Sequence, residues 1–137
     1  MEVLPQFTIW KTKLEREGFD VFTPKLVDYR RQFSARHRVL TAKRAENRKH
    51  FKKIERSDAI LILNYTIGRS KFHIGGSTFA EAAVAFYLGK EIFLLNPIPK
   101  DSIFKEELEA WRVKRWNNRS SGASKNQRIR QITMTSQ

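Results

Sequence analysis

Two short apolar runs constrain this chain most. "AILILN" (Ala59 to Asn64) and "EIFLLN" (Glu91 to Asn96) each hold apolar residues without the polar alternation of a half-exposed strand. A run of that length, closed by polar residues or by "PIP", predicts a strand buried on both faces, the condition of a parallel sheet. Between the runs lies "TFAEAAVAFYL" (Thr78 to Leu88), rich in small alanines and followed by Gly89. It predicts a helix that packs closely on the sheet and stops at the glycine.

The flanks continue the alternation. Phe7, Trp10 and Leu14 recur at helical spacing, which predicts an amphipathic helix over Pro5 to Glu17 ended by Gly18. "FDVF" (Phe19 to Phe22) predicts a strand closed by Pro24. Residues 25 to 40 have weak periodicity and predict a loop or a loose helix. Thr41 to Glu55 predicts a basic helix with Phe51 and Ile54 facing inward, and Asp101 to Trp111 a last helix capped by Asp101 or Ser102. The expected fold class is therefore α/β, a doubly wound, flavodoxin- or Rossmann-like parallel sheet with helices on both faces. It is expected to occupy residues 1–116. The segment 117–137, "NNRSSGASKNQRIRQITMTSQ", is polar, basic and poor in large apolar residues, and is expected to be a disordered tail.

Charge and cysteine usage narrow the function classes. The 137 residues carry a net charge of +13 and no cysteine. Disulfides and thiolate metal sites are excluded, and a reducing cytoplasm suits such a chain. His37, His50 and His73 lack ligand-like spacing, so no metal or other cofactor is expected. No apolar run is long enough to span a bilayer, so no membrane partner is expected. Arg30 to Arg56 contains eleven Lys or Arg against Glu46 and Glu55, and the stretch from Ala110 onward has seven and no acid. Weak nucleic-acid binding through the 30–56 segment and the tail is one expectation, although neither an aromatic platform nor a helix-turn-helix pattern accompanies it.

One carboxylate interrupts the Ala-rich helix, Glu81, soon after Gly75 and Gly76. "TFAE" matches a capping box, in which Thr78 caps the helix and Glu81 reaches back to its amide. The same position suits chemistry. A helix N-terminus favours an ionised carboxylate, and the two glycines let a ligand approach backbone amides. A carboxylate held there can act as a nucleophile or stabilise an oxocarbenium ion. Asp58 heads the first apolar strand, either as a cap or turn residue at the strand start, or as a proton donor or a group that orients Glu81. Ligands of such sheets bind at the carboxyl ends of the strands, where Asn64, the glycine loop and the start of the 78–88 helix are expected to meet.

The ordered set Asp58, Gly75, Gly76, Glu81, Ala85, Gly89 and Lys90, within His50 to Pro99, resembles the nucleoside 2-deoxyribosyltransferase family, including its nucleoside 5'-monophosphate N-glycosidase branch. The resemblance covers about a third of the chain strongly, and "LEREGFDVFTP" (Leu14 to Pro24) weakly. It implies cleavage or transfer at an N-glycosidic bond. Glu81 matches the nucleophile and Asp58 the assisting carboxylate, while Gly75, Gly76, Ser77 and Thr78 lie near the sugar or a 5'-phosphate. The implied partner is a small nucleoside or nucleotide, and the implied assembly a homo-oligomer. Such a family opens on a strand central to its sheet. Here only Met1 to Leu4 precede the first helix, so that strand is expected to be missing or vestigial, leaving its neighbours unpaired. A catalytically degenerate nucleotide-binding relative is the alternative this implies. "GGSTFAE" also resembles, less closely, the "GGxGTxxE" motif of cytokinin-activating phosphoribohydrolases, being one residue shorter and lacking the third glycine.

Overall fold

The computed structural model describes residues 3–24, 34–119 and 129–136. Its elements follow the expected alternation. Helix α1 (Val3–Arg16) leads to β1 (Asp20–Phe22), α2 (Arg36–Arg56) to β2 (Ala59–Ile62), α3 (Gly76–Tyr87) to β3 (Glu91–Leu94), and α4 (Lys105–Ala110) to β4 (Lys114–Arg115). A 3-10 turn (Trp116–Asn118) follows, and the last element is β5 (Gln131–Thr135). All five strands run parallel, in the order β1-β5-β2-β3-β4.

The two apolar runs are buried as parallel strands. Ile60 of β2 lies opposite Ile92 of β3, and Leu61 opposite Phe93. Alternate residues serve opposite faces, because successive side chains of a strand point to opposite sides. Ala59, Leu61, Leu63 and Phe93 join Phe7 and Leu14 of α1 in one core. Ile60, Ile62, Ile92 and Leu94 join Ile54 of α2, Ala82 and Ala85 of α3 and Leu108 of α4 in the other. The sheet is thus covered by α1 on one face and by α2, α3 and α4 on the other.

The end of the chain corrects the expected domain boundary. Residues 131–135 form an interior strand of the sheet, between β1 and β2, not part of a loose tail. Ile132 pairs with Val21 on one side and with Ala59 on the other, and Thr133 with Phe22 and Ile60. Ile132 and Met134 are fully buried in the α1-side core. Thr133 points the other way, and its hydroxyl shares a hydrogen bond of 2.6 Å with Ser57 at the end of α2. "QITMT" therefore alternates apolar and hydroxylated residues about a period of two, and the β-branched threonines suit a strand. Residues 120–128, which were expected to be disordered, lie outside the described residues, as do 25–33 of the expected 25–40 loop.

The same strand answers the expected gap. A flavodoxin-like sheet has the order 2-1-3-4-5, with its first strand between the second and third. Here the central position is neither empty nor vestigial. It is filled by β5, arriving from the other end of the sequence. Without it β1 would have no partner among the described residues, where its one ladder is with β5. Trp116 and Ile129, which flank the return of the chain from the sheet's edge to its centre, are both buried in the α1-side core. Trp116 packs edge-on against Phe93 and Phe19, with ring centroids 5.1 and 5.8 Å away.

Helix ends differ from expectation in two further places. α2 begins at Arg36, five residues before the expected Thr41, with no side-chain cap. α4 begins at Lys105, so neither Asp101 nor Ser102 caps it. The Ser102 hydroxyl instead accepts the Phe104 amide at 3.1 Å, and successive turns take up the preceding residues.

Candidate active site

Where β2 ends, the chain enters a loop that returns at Gly75 to start α3 at Gly76. This is the carboxyl end of the sheet, where loops of parallel α/β folds gather functional groups. Asn64 lies there, fully buried, and its side chain is committed. Its amide nitrogen donates to the carbonyls of Asn96 and Pro97 at 2.9 and 3.1 Å, and its Oδ1 accepts the Asn96 amide at 2.8 Å. Asn96 returns a bond to the Asn64 carbonyl at 3.0 Å. The pair clamps the ends of β2 and β3 together, so Asn64 holds the floor of the site and has no donor left for a ligand.

Gly75 and Gly76 flank a cleft of about 680 Å³ between the loop before α3 and the loop after β3. Arg69, Lys71, His73 and Lys100 give it a basic wall, and Phe72 and Phe104 an apolar one. A Cβ added at Gly76 would meet nothing within 4 Å, so the α3 amino end borders open space. Phe72 adopts φ 54°, a left-handed conformation costly for a bulky residue. Glu81 is not among the residues lining this cleft.

The capping box does not form. Gly75 is the N-cap, so Thr78 already lies inside the first turn and Glu81 in the second. The two apolar-side residues are instead turned into the protein. Thr78 is fully buried and its hydroxyl has no hydrogen-bond partner. Glu81 is 8% exposed, and its Oε2 likewise lacks a hydrogen bond. Facing it from α2 is His50, also buried, with Nε2 3.4 Å from Glu81 Oε2. Neither ring nitrogen of His50 makes a hydrogen bond. Buried polar atoms are nearly always paired, because an unpaired one forfeits about 1–3 kcal/mol of hydration. Among the described residues, Glu81 of α3 and His50 of α2 thus face each other with polar atoms left unpaired, and Thr78 lies one turn before Glu81 on the same helix. Ser77, half-buried, sits between this cluster and the glycine turn in sequence.

His50 was not singled out by the sequence except to set it aside as a metal ligand. Its four-residue spacing from Ile54 could have placed it on the inward face of α2. Nothing local connects it to Glu81, because the contact forms only when two helices pack side by side. Tyr65 was missed in the same way. Its hydroxyl accepts Trp10 Nε1 at 2.9 Å and donates to Gln6 at 3.0 Å, tying the end of β2 to α1.

Asp58 is not brought to Glu81. It precedes β2, at the amino end of the sheet, whereas α3 starts from the carboxyl end. Its Oδ2 accepts the backbone amides of Arg130 and Gln131 at 2.9 and 3.0 Å. Partial burial pushes its pKa up, but those two amides and the charges of Lys90 and Arg130 outweigh burial and hold the carboxyl below the usual aspartate range. It stays ionised at neutral pH and cannot serve as the proton donor. Its role is to anchor the start of β5. Asp58→Ala is expected to destabilise the fold by about 1–2 kcal/mol at pH 7 in chemical denaturation. Because the folded-state pKa is depressed, the difference between parent and variant is present above the unfolded aspartate value of about 3.9 and disappears as pH falls through the folded one.

The fold and these groups define a class: a doubly wound parallel α/β protein with a buried carboxylate–imidazole pair between two helices on one face of its sheet. No described helix is long and apolar enough to cross a membrane. Comparison with protein-family models, curated proteins and solved structures returns no significant match.

Proposed function

We propose that this protein cleaves the N-glycosidic bond of nucleosides or nucleoside 5'-monophosphates, by hydrolysis or by transfer of the glycosyl group, with Glu81 as nucleophile. The observation that carries the reading is Glu81 itself, a carboxylate buried in an Ala-rich helix with an oxygen left unpaired and an imidazole 3.4 Å away. A carboxylate kept only for folding would have its hydrogen bonds made. The doubly wound fold and the ordered motif from Asp58 to Lys90 support the same reading.

In this mechanism a Glu81 oxygen bonds to the anomeric carbon as the carbon–nitrogen bond breaks. The electron pair leaves with the base, which takes up a proton. Water or a second base then attacks the same carbon and frees the carboxylate. His50 replaces Asp58 as the group beside the nucleophile. It lies 3.4 Å from Glu81 Oε2, near enough for its ring to carry a proton to or from the reacting atoms. Gly75, Gly76 and Ser77, with the α3 amino end, would border the sugar or its phosphate.

The test is release of free base from a panel of deoxynucleosides and their 5'-monophosphates by the purified chain, followed by chromatography. Release from at least one substrate supports the proposal. A folded protein that binds nucleotides without releasing base would be a degenerate relative, and the proposed activity would fall. Among active substrates, His50→Gln is expected to lower kcat about ten- to a hundredfold with little change in KM, and to remove one limb of the pH–rate profile. An unaltered profile would remove His50 from the chemistry.

A further inference from the structure

Helix α2 uses one side and leaves the other without a role in the fold. His50 and Ile54 are turned inward, and Phe51 packs against the same core. On the solvent side, Arg44, Arg48, Lys52 and Arg56 are all exposed. They follow one another at four-residue spacing, so each step rises about 6 Å along the helix and turns about 40° around it. Arg38 and Lys49 flank the row and are also exposed. The acids do little to neutralise it. Glu46 is half-buried and pairs with Lys49 at 3.3 Å, and Glu55 is the exposed carboxylate of this helix. Among the described residues, none of Arg44, Arg48, Lys52 and Arg56 makes an ion pair. Like charges four residues apart destabilise a helix by about 0.2–0.5 kcal/mol per pair, and this row contains three such pairs in succession. Folding alone gives no reason to keep them, whereas a polyanion laid along the helix would turn the repulsion into attraction.

We propose that the solvent face of α2 is a docking surface for duplex nucleic acid, held through its phosphates. Three features select this partner from other polyanions. An exposed cationic helix of this length, 21 residues, presents a rod about 10–12 Å wide, which the major groove of a B-form duplex, about 12 Å across, admits. No Phe, Tyr or Trp is exposed on α2, so the face offers no platform on which single-stranded bases could stack. Phe51 and Ile54 of α2 pack into the core and Leu40 is its exposed large apolar residue, so α2 lacks the continuous free apolar face of an amphipathic membrane anchor. The net charge of +13 would steer any such encounter. The surface points away from His50 and therefore stands independently of the proposed base release.

The test measures binding of the full chain to a 20-base-pair duplex of arbitrary sequence by fluorescence anisotropy between 50 and 200 mM salt. About four phosphate contacts predict a slope of log Kobs against log salt near −3.6. The double variant Arg48→Ala/Lys52→Ala is expected to keep the parent melting profile and to flatten the slope by about 1.8. Lys71→Ala/Lys100→Ala removes the same charge from the cleft and is expected to leave the slope unchanged. Duplex binding undetectable at 50 mM salt would overturn the proposal. So would equal flattening by both double variants, or binding of poly-glutamate or anionic phospholipid vesicles as tight as that of the duplex.

Discussion

Removing residues 120–137 is expected to abolish cooperative unfolding altogether, although by composition the segment looks dispensable. β5 is hydrogen-bonded on both edges, to β1 and to β2, and β1 has no other partner. Its loss would expose the inner edge of β2 and release β1 from the sheet. It would also remove Ile132 and Met134 from the core that α1 covers. Either side chain alone contributes on the order of 2–5 kcal/mol when truncated to Ala in a well-packed site. A domain of this kind has a total stability of about 5–15 kcal/mol. The truncated chain should therefore show no thermal transition by circular dichroism and no dispersion in its amide spectrum. Ile132→Ala gives the graded version, a loss of about 2–4 kcal/mol by chemical denaturation with the transition still cooperative. A truncated protein that melts like the parent would show that β5 is not a strand joining β1 to β2.

Glu81→Gln is expected to reduce base release at least about 1000-fold, close to 4 kcal/mol of transition-state stabilisation, while leaving nucleotide binding and the fold intact. The amide keeps the size of the side chain but cannot supply the attacking electron pair of a carboxylate. The stability readout matters as much as the rate. Glu81 Oε2 is buried without a hydrogen bond, so the parent already bears an unfavourable group at this position. Replacing this unpaired side chain by its neutral amide isostere is expected to leave the melting temperature unchanged or to raise it, as happens where a residue is kept for activity at the expense of stability. Retained activity in Glu81→Gln would sink the nucleophile assignment. Loss of activity together with a fall in melting temperature of several degrees would instead assign Glu81 a structural role alongside His50.

Parts of this site were legible in the residues themselves. The glycine turn, the Ala-rich helix after it and the isolated carboxylate each have a local signature, and the structure places Gly75, Gly76, Thr78 and Glu81 on one turn and helix. Their partners were not legible. Asp58 stands at the head of an apolar strand in either reading, and only the position of β5 shows that its carboxylate holds two amides at the far end of the sheet. Asn64 has the residue type and place of a ligand contact, yet Asn96, in the bend after β3, takes up its hydrogen bonds. The capping box failed by three residues, because the helix is capped at Gly75 and not at Thr78.

The residues alone determined what each segment becomes. Unbroken apolar runs made β2 and β3 buried strands, the three-and-four spacing of Phe7, Trp10 and Leu14 made α1, and the alternation of strand and helix made the sheet parallel. Those outcomes follow from side-chain period and local backbone preference, which act within a few residues. Only the tertiary structure decided which segment lies between β1 and β2 and which imidazole faces the buried carboxylate. A strand selects its neighbours through backbone hydrogen bonds that any sequence can offer, so "QITMT" could be recognised as central only once β1 and β2 presented their free edges to it.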